Sequence, residues 1–352
     1  MIAPGSTIGI LGGGQLGRML AMAAAQLGYR VHVLAPEDEL PAGDVAAQVT
    51  RADYADRGAI DAFAATVDVA TFEFENIDVA AIRYLAGLVP VFPPAAALKV
   101  SQDRVAEKRF VAALGGTTAP YRAVDSLADL EAAVLALGCP AVLKTRRMGY
   151  DGKGQARLHT AGDCAAAWAA TGGATAVLEG FVRFDTEFSV ILARGVAGQA
   201  VYALPENRHV DGILDSSHVP AAGGIAAQAD AAIALARAVA DALDYRGVLT
   251  CEFFATADGP VFNEMAPRVH NSGHWTIEGA TTSQFENHIR AICGLPLGSP
   301  ALVTGAARMK NLLGDDVDAW GAFLADPTAH LHLYGKREVV PDRKMGHVTW
   351  LA

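Results

Sequence analysis

Residues 139–155 read CPAVLKTRRMGYDGKGQ, and this stretch decides the fold. A short apolar run ends at Lys144, a glycine-rich turn follows, and QARL (155–158) resumes an extended pattern. A glycine-rich loop between two strands can fold over the phosphates of a nucleotide, with Lys144 and Lys153 supplying positive charge. No GxxxxGK[ST] run precedes a helix, so this is not a P-loop. The plain alternative is a hairpin with an exposed basic turn.

Upstream, Ser126 starts a helix with Asp129 three residues on, an imperfect capping box, and a linking helix is expected over Gln102–Leu114. Downstream, a helix near 163–170 and the strand ATAVLE (174–179) complete a small α+β unit. Strands dominate from Glu187: EFSVILARG, AVYAL, VLTCEFF and PVFNEM, with a long helix over 225–243. The chain opens differently. TIGIL (7–11), an alanine-rich helix from Gln15 to Leu27 and VHVLA (31–35) spell strand–loop–helix–strand, the start of a parallel α/β layer. Further helices near 57–65 and 78–87 lead into VDVATFEF and VPVF. Three α/β lobes are expected, over residues 1–98, 99–180 and 181–352.

Composition narrows the function. The chain has 352 residues, 52% hydrophobic and 19% charged, with a net charge of −10. That balance is globular and argues against a general affinity for nucleic acid. Four scattered cysteines without a CxxC pair are expected to be reduced thiols. No apolar run reaches membrane-spanning length, and the opening MIAPGSTIGILGGG has no basic region ahead of its apolar run. Neither a membrane span nor a signal peptide is expected, and the expected location is the cytoplasm.

Five further constellations carry chemistry. Gly12-x-Gly14-x-x-Gly17 has the spacing of a dinucleotide fingerprint, and Glu37 lies 20 residues past Gly17, where a ribose-binding acid would stand. A tight strand-to-helix turn explains the same glycines. Glu252 and Glu264 flank the Asp258-Gly259 turn signal. An odd-length loop sets them opposite one another; an even one separates their faces. Facing carboxylates repel unless a cation lies between them, and with the Asn263 amide they suit Mg²⁺ held with substrate phosphates. The polar run Arg268, His270, Asn271, Ser272, His274 follows directly, and Lys336, Arg343 and Lys344 form a basic island in an acidic chain. Glu73 and Glu75, two apart, share one strand face. No Ser-His-Asp or Cys-His order suggests a covalent nucleophile.

Taken in order, Lys144, GYDGKGQ, Glu179-Gly180-Phe181-Val182, Glu187 and the Glu252/Asn263-Glu264 pair resemble the ATP-grasp fold. GILGGGQLGRML, TFEFENI, ENRHVDGIL, NEMAPRVHNSGHWT and YGK…RKMGH narrow the resemblance to the 5-(carboxyamino)imidazole ribonucleotide synthases of purine biosynthesis. The resemblance implies an ATP-grasp fold behind an N-terminal, Rossmann-like pre-ATP-grasp domain, and a homodimer. It implies a ligase in which ATP converts bicarbonate to carboxyphosphate, which carboxylates aminoimidazole ribonucleotide with Mg²⁺ as cofactor.

The implied roles map onto matching positions. Arg104, Lys144 and the loop Gly149, Tyr150, Asp151, Gly152, Lys153, Gly154, Gln155 would hold ATP phosphates. Glu179, Gly180, Phe181 and Val182 would meet the adenine, Glu187 the ribose, and His209 and Asn263 the nucleotide pocket. Glu252 and Glu264 would bind the metal. Gly14, Gln15, Leu16, Lys336, Arg343 and Lys344 would hold the ribonucleotide phosphate, with Glu73 near its base or sugar. Tyr150, Asp151, Arg268, His270, Asn271 and Ser272 would surround bicarbonate and the reacting amine, with Lys336 also in a catalytic role. Two positions depart from the family pattern: Lys153 stands where arginine is common, and Asp342 where glycine is usual. A formate- or amino-acid-using ligase, a nicotinamide oxidoreductase and a non-catalytic nucleotide-binding regulator are the alternatives.

Overall fold

The computed structural model describes residues 1–149 and 154–352. The N-terminal part is a parallel sheet of β1 (Thr7–Leu11), β2 (Arg30–Ala35), β3 (Gln48–Arg51) and β4 (Val69–Phe72), in the order β3-β2-β1-β4. Strands β1, β2 and β4 are almost continuously buried, which a parallel layer covered on both faces requires. Helices α1 (Gln15–Gln26), α2 (Arg57–Ala64) and α3 (Val79–Ala86) provide the cover, with Asp56 and Asp78 capping the last two. VPVF contributes only a bridge, Ala70 to Val91.

Two helices, not one, link this layer to the next. α4 (Ala95–Ser101) starts behind Pro94, and Asp103 breaks the path by capping α5 (Arg104–Ala113) through the Val105 and Ala106 amides. An antiparallel sheet follows: β5 (Tyr121–Val124), β6 (Ala141–Thr145), β7 (Gln155–Leu158) and β8 (Ala176–Gly180), in the order β5-β8-β6-β7. α6 (Leu127–Leu137), capped by Ser126, and α7 (Cys164–Ala170) cover it.

The remaining strands form one nine-stranded sheet. They are β9 (Thr186–Arg194), β10 (Gln199–Val201), β11 (Glu206–Val210), β12 (Ile213–Val219), β13 (Gly247–Thr256), β14 (Gly259–Ala266), β15 (Ala307–Leu313), β16 (Ala329–Leu333) and β17 (Lys344–Leu351). The order is β14-β13-β9-β11-β12-β15-β17-β16, with β10 beside β9. Asp211 and Gly212, both at positive φ, make the two-residue turn between β11 and β12. α8 (Gly224–Ala242) packs one face. α9 (Thr276–Gly279) and α10 (Gln284–Ile292) carry Trp275, Phe285 and Ile289 into a core shared with α1 and β1. α11 (Trp320–Ala325) lies at the β16 edge. The shared core fixes the parallel layer against the large sheet, so a cleft between them has firm walls.

Candidate active site

One cavity of about 890 Å³ is lined from all three sheets. The carboxyl ends of β1, β2 and β4 contribute Gly12–Leu16, Glu37 and Glu73–Asn76, as expected where ligands bind a parallel α/β layer. The small antiparallel sheet adds Lys144 and Glu179–Val182, and the large sheet adds Glu252, Glu264, Arg268 and Lys336.

At one end, strand register brings charges together. Lys144 lies opposite Val177 and Glu179 opposite Val142, so the two share a face as diagonal neighbours. Lys144 Nζ is 2.8 Å from Glu179 Oε2, and Lys108 Nζ, from α5, is 2.8 Å from Oε1. Burial opposes ionisation of Glu179, but Lys144 and Lys108 outweigh it and hold the carboxyl down at about 2. Gly149 and Gln155 line the same end. Gly154 has positive φ, and a Cβ there would stand 2.6 Å from Thr145 Oγ1. Tyr150, Asp151, Gly152 and Lys153 lie outside the described residues. Glu187 Oε2 is 2.7 Å from His209 Nδ1. Burial lowers that imidazole and the carboxylates of Glu187, Glu252 and Glu264 raise it, for a net upward shift.

In the middle, Glu252 stands directly opposite Glu264 in the β13–β14 ladder. The connecting turn has two residues, an even number, since Thr256 pairs with Gly259. A bulge restores the facing pair: Phe253 opposes Phe262, Asn263 is the extra residue, and Glu264 swings opposite Glu252. Arg104 Nη1 is 2.6 Å from Glu264 Oε2, and His270 Nε2 is 2.9 Å from Glu252 Oε1. Burial raises the Glu252 carboxyl, and His270, His209 and Arg268 outweigh it to hold it well below the usual range. Among the described residues no cluster of three or more His, Cys, Asp or Glu side chains could hold a metal. Two facing carboxylates and the buried Asn263 Oδ1, which has no hydrogen-bond partner, do suit a hard cation that takes its other ligands from a substrate.

Behind His270 runs a buried hydroxyl–amide chain. His270 Nδ1 is 2.9 Å from Ser272 Oγ, which donates to Ser189 Oγ at 3.0 Å; Asn207 Nδ2 donates to Ser189 Oγ at 2.6 Å. Ser272 is fully buried and sits under His270, away from the cavity wall. Asn271 lines the cavity and exchanges amide hydrogen bonds with Asn311. Arg268 Nη2 is 2.9 Å from Glu75 Oε2.

At the far end, Glu73 occupies the N-terminus of α1. Its Oε1 accepts from the Gly14 N–H at 2.8 Å. A Cβ on Gly12 would stand 2.7 Å from Glu73, and one on Gly14 2.9 Å. The fingerprint glycines therefore make room for a carboxylate from the chain itself. Burial raises the Glu73 carboxyl against the opposing pull of the Gly14 amide and Arg268. Gln15, Leu16, Lys336, Arg343 and Lys344 face this end. Lys336 donates to the Lys344 carbonyl at 2.6 Å, and Arg343 Nη2 is 2.5 Å from Glu39 Oε2. Glu37 is exposed on the rim.

Sequence reasoning missed Glu107 and Lys108, each 1% exposed. Glu107 Oε1 accepts from the Met265 N–H at 2.7 Å, which ties α5 to β14. The signal was present: Arg104, Glu107 and Lys108 stand at i, i+3 and i+4 and so share one helix face. Arg146 Nη2 on Asp103 Oδ2 at 2.8 Å, joining the end of β6 to the α5 cap, was missed too.

Comparison with known proteins follows the same order along the chain. Residues 5–102 match the ribonucleotide synthetase preATP-grasp domain, 109–285 the ATP-grasp domain, and 307–352 the phosphoribosylaminoimidazole carboxylase C-terminal domain. The chain is similar to the N5-carboxyaminoimidazole ribonucleotide synthase of Brucella melitensis biotype 1, 52% identical over 352 residues, covering 99% of this chain and 97% of that protein. The solved synthetase of Thermus thermophilus is 49% identical with a TM-score of 0.91, over 98% of this chain and 93% of that one. The Aspergillus clavatus synthase, crystallised with ADP and 5-aminoimidazole ribonucleotide, is 32% identical with a TM-score of 0.91, over 99% and 94%. With its three matched domains in order and its fold shared end to end, the chain belongs to the ATP-grasp N5-carboxyaminoimidazole ribonucleotide synthases, a family of ligases.

Proposed function

We propose that the chain carboxylates the exocyclic amine of 5-aminoimidazole ribonucleotide with bicarbonate at the expense of ATP, in purine biosynthesis. The single observation that carries this is the continuous cavity, with Lys144 and Glu179–Val182 at one end, facing carboxylates at its centre and the Lys336–Lys344 cluster at the other. The Aspergillus clavatus relative was crystallised with ADP and 5-aminoimidazole ribonucleotide together, which supports a site that takes both a nucleotide and this ribonucleotide.

In this mechanism Lys144, Gly149, Gln155 and Arg104 bind and orient the triphosphate, and Phe181 and Val182 form the adenine wall. Glu252, Glu264 and Asn263 would hold Mg²⁺, which supplies charge neutralisation to the transferring phosphoryl oxygens. A bicarbonate oxygen attacks the terminal phosphorus and ADP leaves. The amine nitrogen then bonds to the carboxyl carbon, inorganic phosphate departs, and the amine gives up a proton. Arg268 and His270, fixed by Glu75 and Glu252, are placed to orient the one-carbon oxyanion. Tyr150, Asp151 and Lys153 belong to the loop that would exclude water from the mixed anhydride. Lys336, Arg343, Lys344, Gln15 and Leu16 take the ribonucleotide phosphate.

Residues 1–98, 99–180 and 181–352 act as the three functional lobes of a cytoplasmic homodimer. No helix among the described residues is long and apolar enough to cross a membrane. The test is ADP release with labelled bicarbonate, with and without aminoimidazole ribonucleotide. Ribonucleotide-dependent label incorporation is expected; incorporation of formate in its place, or NAD(P)H binding without ATP turnover, would replace this function with another.

A further inference from the structure

Helix α5 lays Lys108 behind a carboxylate that already has a partner. Lys144, on the cavity wall, reaches one oxygen of Glu179, and Lys108 reaches the other, each at 2.8 Å. Lys108 is 1% exposed, Glu179 6% and Lys144 14% by side chain. One lysine is enough to neutralise one carboxylate, and burying a second ammonium is unfavourable for folding alone. The surplus therefore has to be explained by something other than stability. With both lysines the buried triad carries one net positive charge; with Lys144 alone the pair is neutral. Neighbouring charges leave the surplus in place: Arg104 is matched by Glu264 and Arg146 by Asp103, and the buried Glu107 carboxyl, raised to about 8 by burial and by the Glu264 charge, is mostly uncharged at neutral pH. Lys144 and Glu179 face the cavity, so the surplus is felt there.

We propose that Lys108 is a positioning residue for nucleotide binding: by taking one oxygen of Glu179 it leaves Lys144 with an uncancelled charge to present to the phosphates. It touches no phosphate and acts through Glu179. This role rests on the assignment of that end of the cavity to ATP.

The test is calorimetric binding of ADP and of inorganic triphosphate, which has no adenine to contact Glu179, to the full chain at two salt concentrations. Wild type is expected to bind both; binding of neither would remove the nucleotide assignment itself, and ADP binding without triphosphate binding would overturn the proposal. Lys108→Met, which leaves a neutral Lys144–Glu179 pair, is expected to weaken triphosphate binding about tenfold or more and to flatten its salt dependence. Lys108→Met with Glu179→Gln leaves Lys144 alone with one net charge, and triphosphate binding is expected to return to within about threefold of wild type. A folded Lys108→Met with wild-type triphosphate affinity overturns the proposal. So does a folded double variant as weak as the single one, and the double variant decides the matter if Lys108→Met does not fold.

Discussion

Glu73 and Glu179 are buried carboxylates on the wall of one cavity, and their surroundings drive them in opposite directions. Glu179 faces two ammonium groups at 2.8 Å and is held down at about 2. Glu73 meets the amide of Gly14 at the start of α1, and burial carries its carboxyl upward all the same. Amide dipoles at a helix start contribute about 0.3–2 kcal/mol, the equivalent of little more than one pKa unit. They do not replace lost solvation; full cations in contact do. The two ends of the cavity are thus different instruments. One is a preset cationic seat, the other a carboxyl whose charge depends on what binds beside it.

The largest test of this contrast removes the carboxylate between the two ends. Glu264→Gln should lower ATP turnover on the order of 10³-fold, since a metal bridge contributes several kcal/mol and each 1.4 kcal/mol is about tenfold. Glu264 is 42% exposed by side chain, so the melting temperature should change little. Near-normal ADP release by this variant would show that the cationic end works without the carboxylate pair.

Glu179→Gln leaves two buried ammonium groups without their anion and should cost about 3–5 kcal/mol in denaturant unfolding. The pH dependence has a definite sign. A carboxyl held at about 2 adds stability above its unfolded value and loses it as pH falls toward 2. The gap between wild type and Glu179→Gln should therefore narrow on acidification from about pH 4.5 to 2. A gap independent of pH would mean that the triad is not the source of the stability.

Glu73→Gln sharpens the contrast because it must run the other way. A raised carboxyl adds stability below its unfolded value and loses it as pH rises through the folded one. The variant keeps an oxygen for the Gly14 amide and sheds the charge. Relative to wild type it should gain stability as pH rises from about 4 to neutrality. Melts showing both variants drifting in the same direction would erase the distinction between the ends.

How much of this was legible beforehand follows from which forces act locally. The parallel layer, the small antiparallel sheet and β13–β14 announced themselves, because their strands are short apolar runs and their turns are marked by glycine. The bulge at Asn263 was not legible: Asp258-Gly259 signals a turn, but one extra residue changes facing without changing composition. Lys108 was legible only as a neighbour of Arg104 on one helix face; its burial was not, since a lysine in RVAEKRF reads as solvated until β8 places Glu179 over it. The glycine fingerprint was seen and its cause was not, because Glu73 comes from a strand 59 positions away. The C-terminal strands β16 and β17 were hidden by His332, Lys344 and His347, polar residues seated in the β15–β17–β16 ladder, with Glu278 of α9 beside His332 and the Tyr334 hydroxyl on His347.

The smallest expected effect is at the far end, where Lys336 stands near Glu73. Burial, with Arg343 and Lys344 adding repulsion, pushes its ammonium down to about 8. Being lowered, it penalises the folded state while charged, and stability should rise as pH climbs from about 8 toward the ordinary lysine range. Binding has the opposite sign. The ammonium that would meet a ribonucleotide phosphate is lost as pH rises through 8, so wild-type affinity for aminoimidazole ribonucleotide should fall by up to about tenfold between pH 7 and 9. Lys336→Ala should show that weaker affinity, again about tenfold, at both pH values, and Lys336→Arg should bind with no limb near 8, since a guanidinium stays charged. A ribonucleotide limb that survives in Lys336→Ala would assign the titration to another group and leave the far end with no switchable charge of its own.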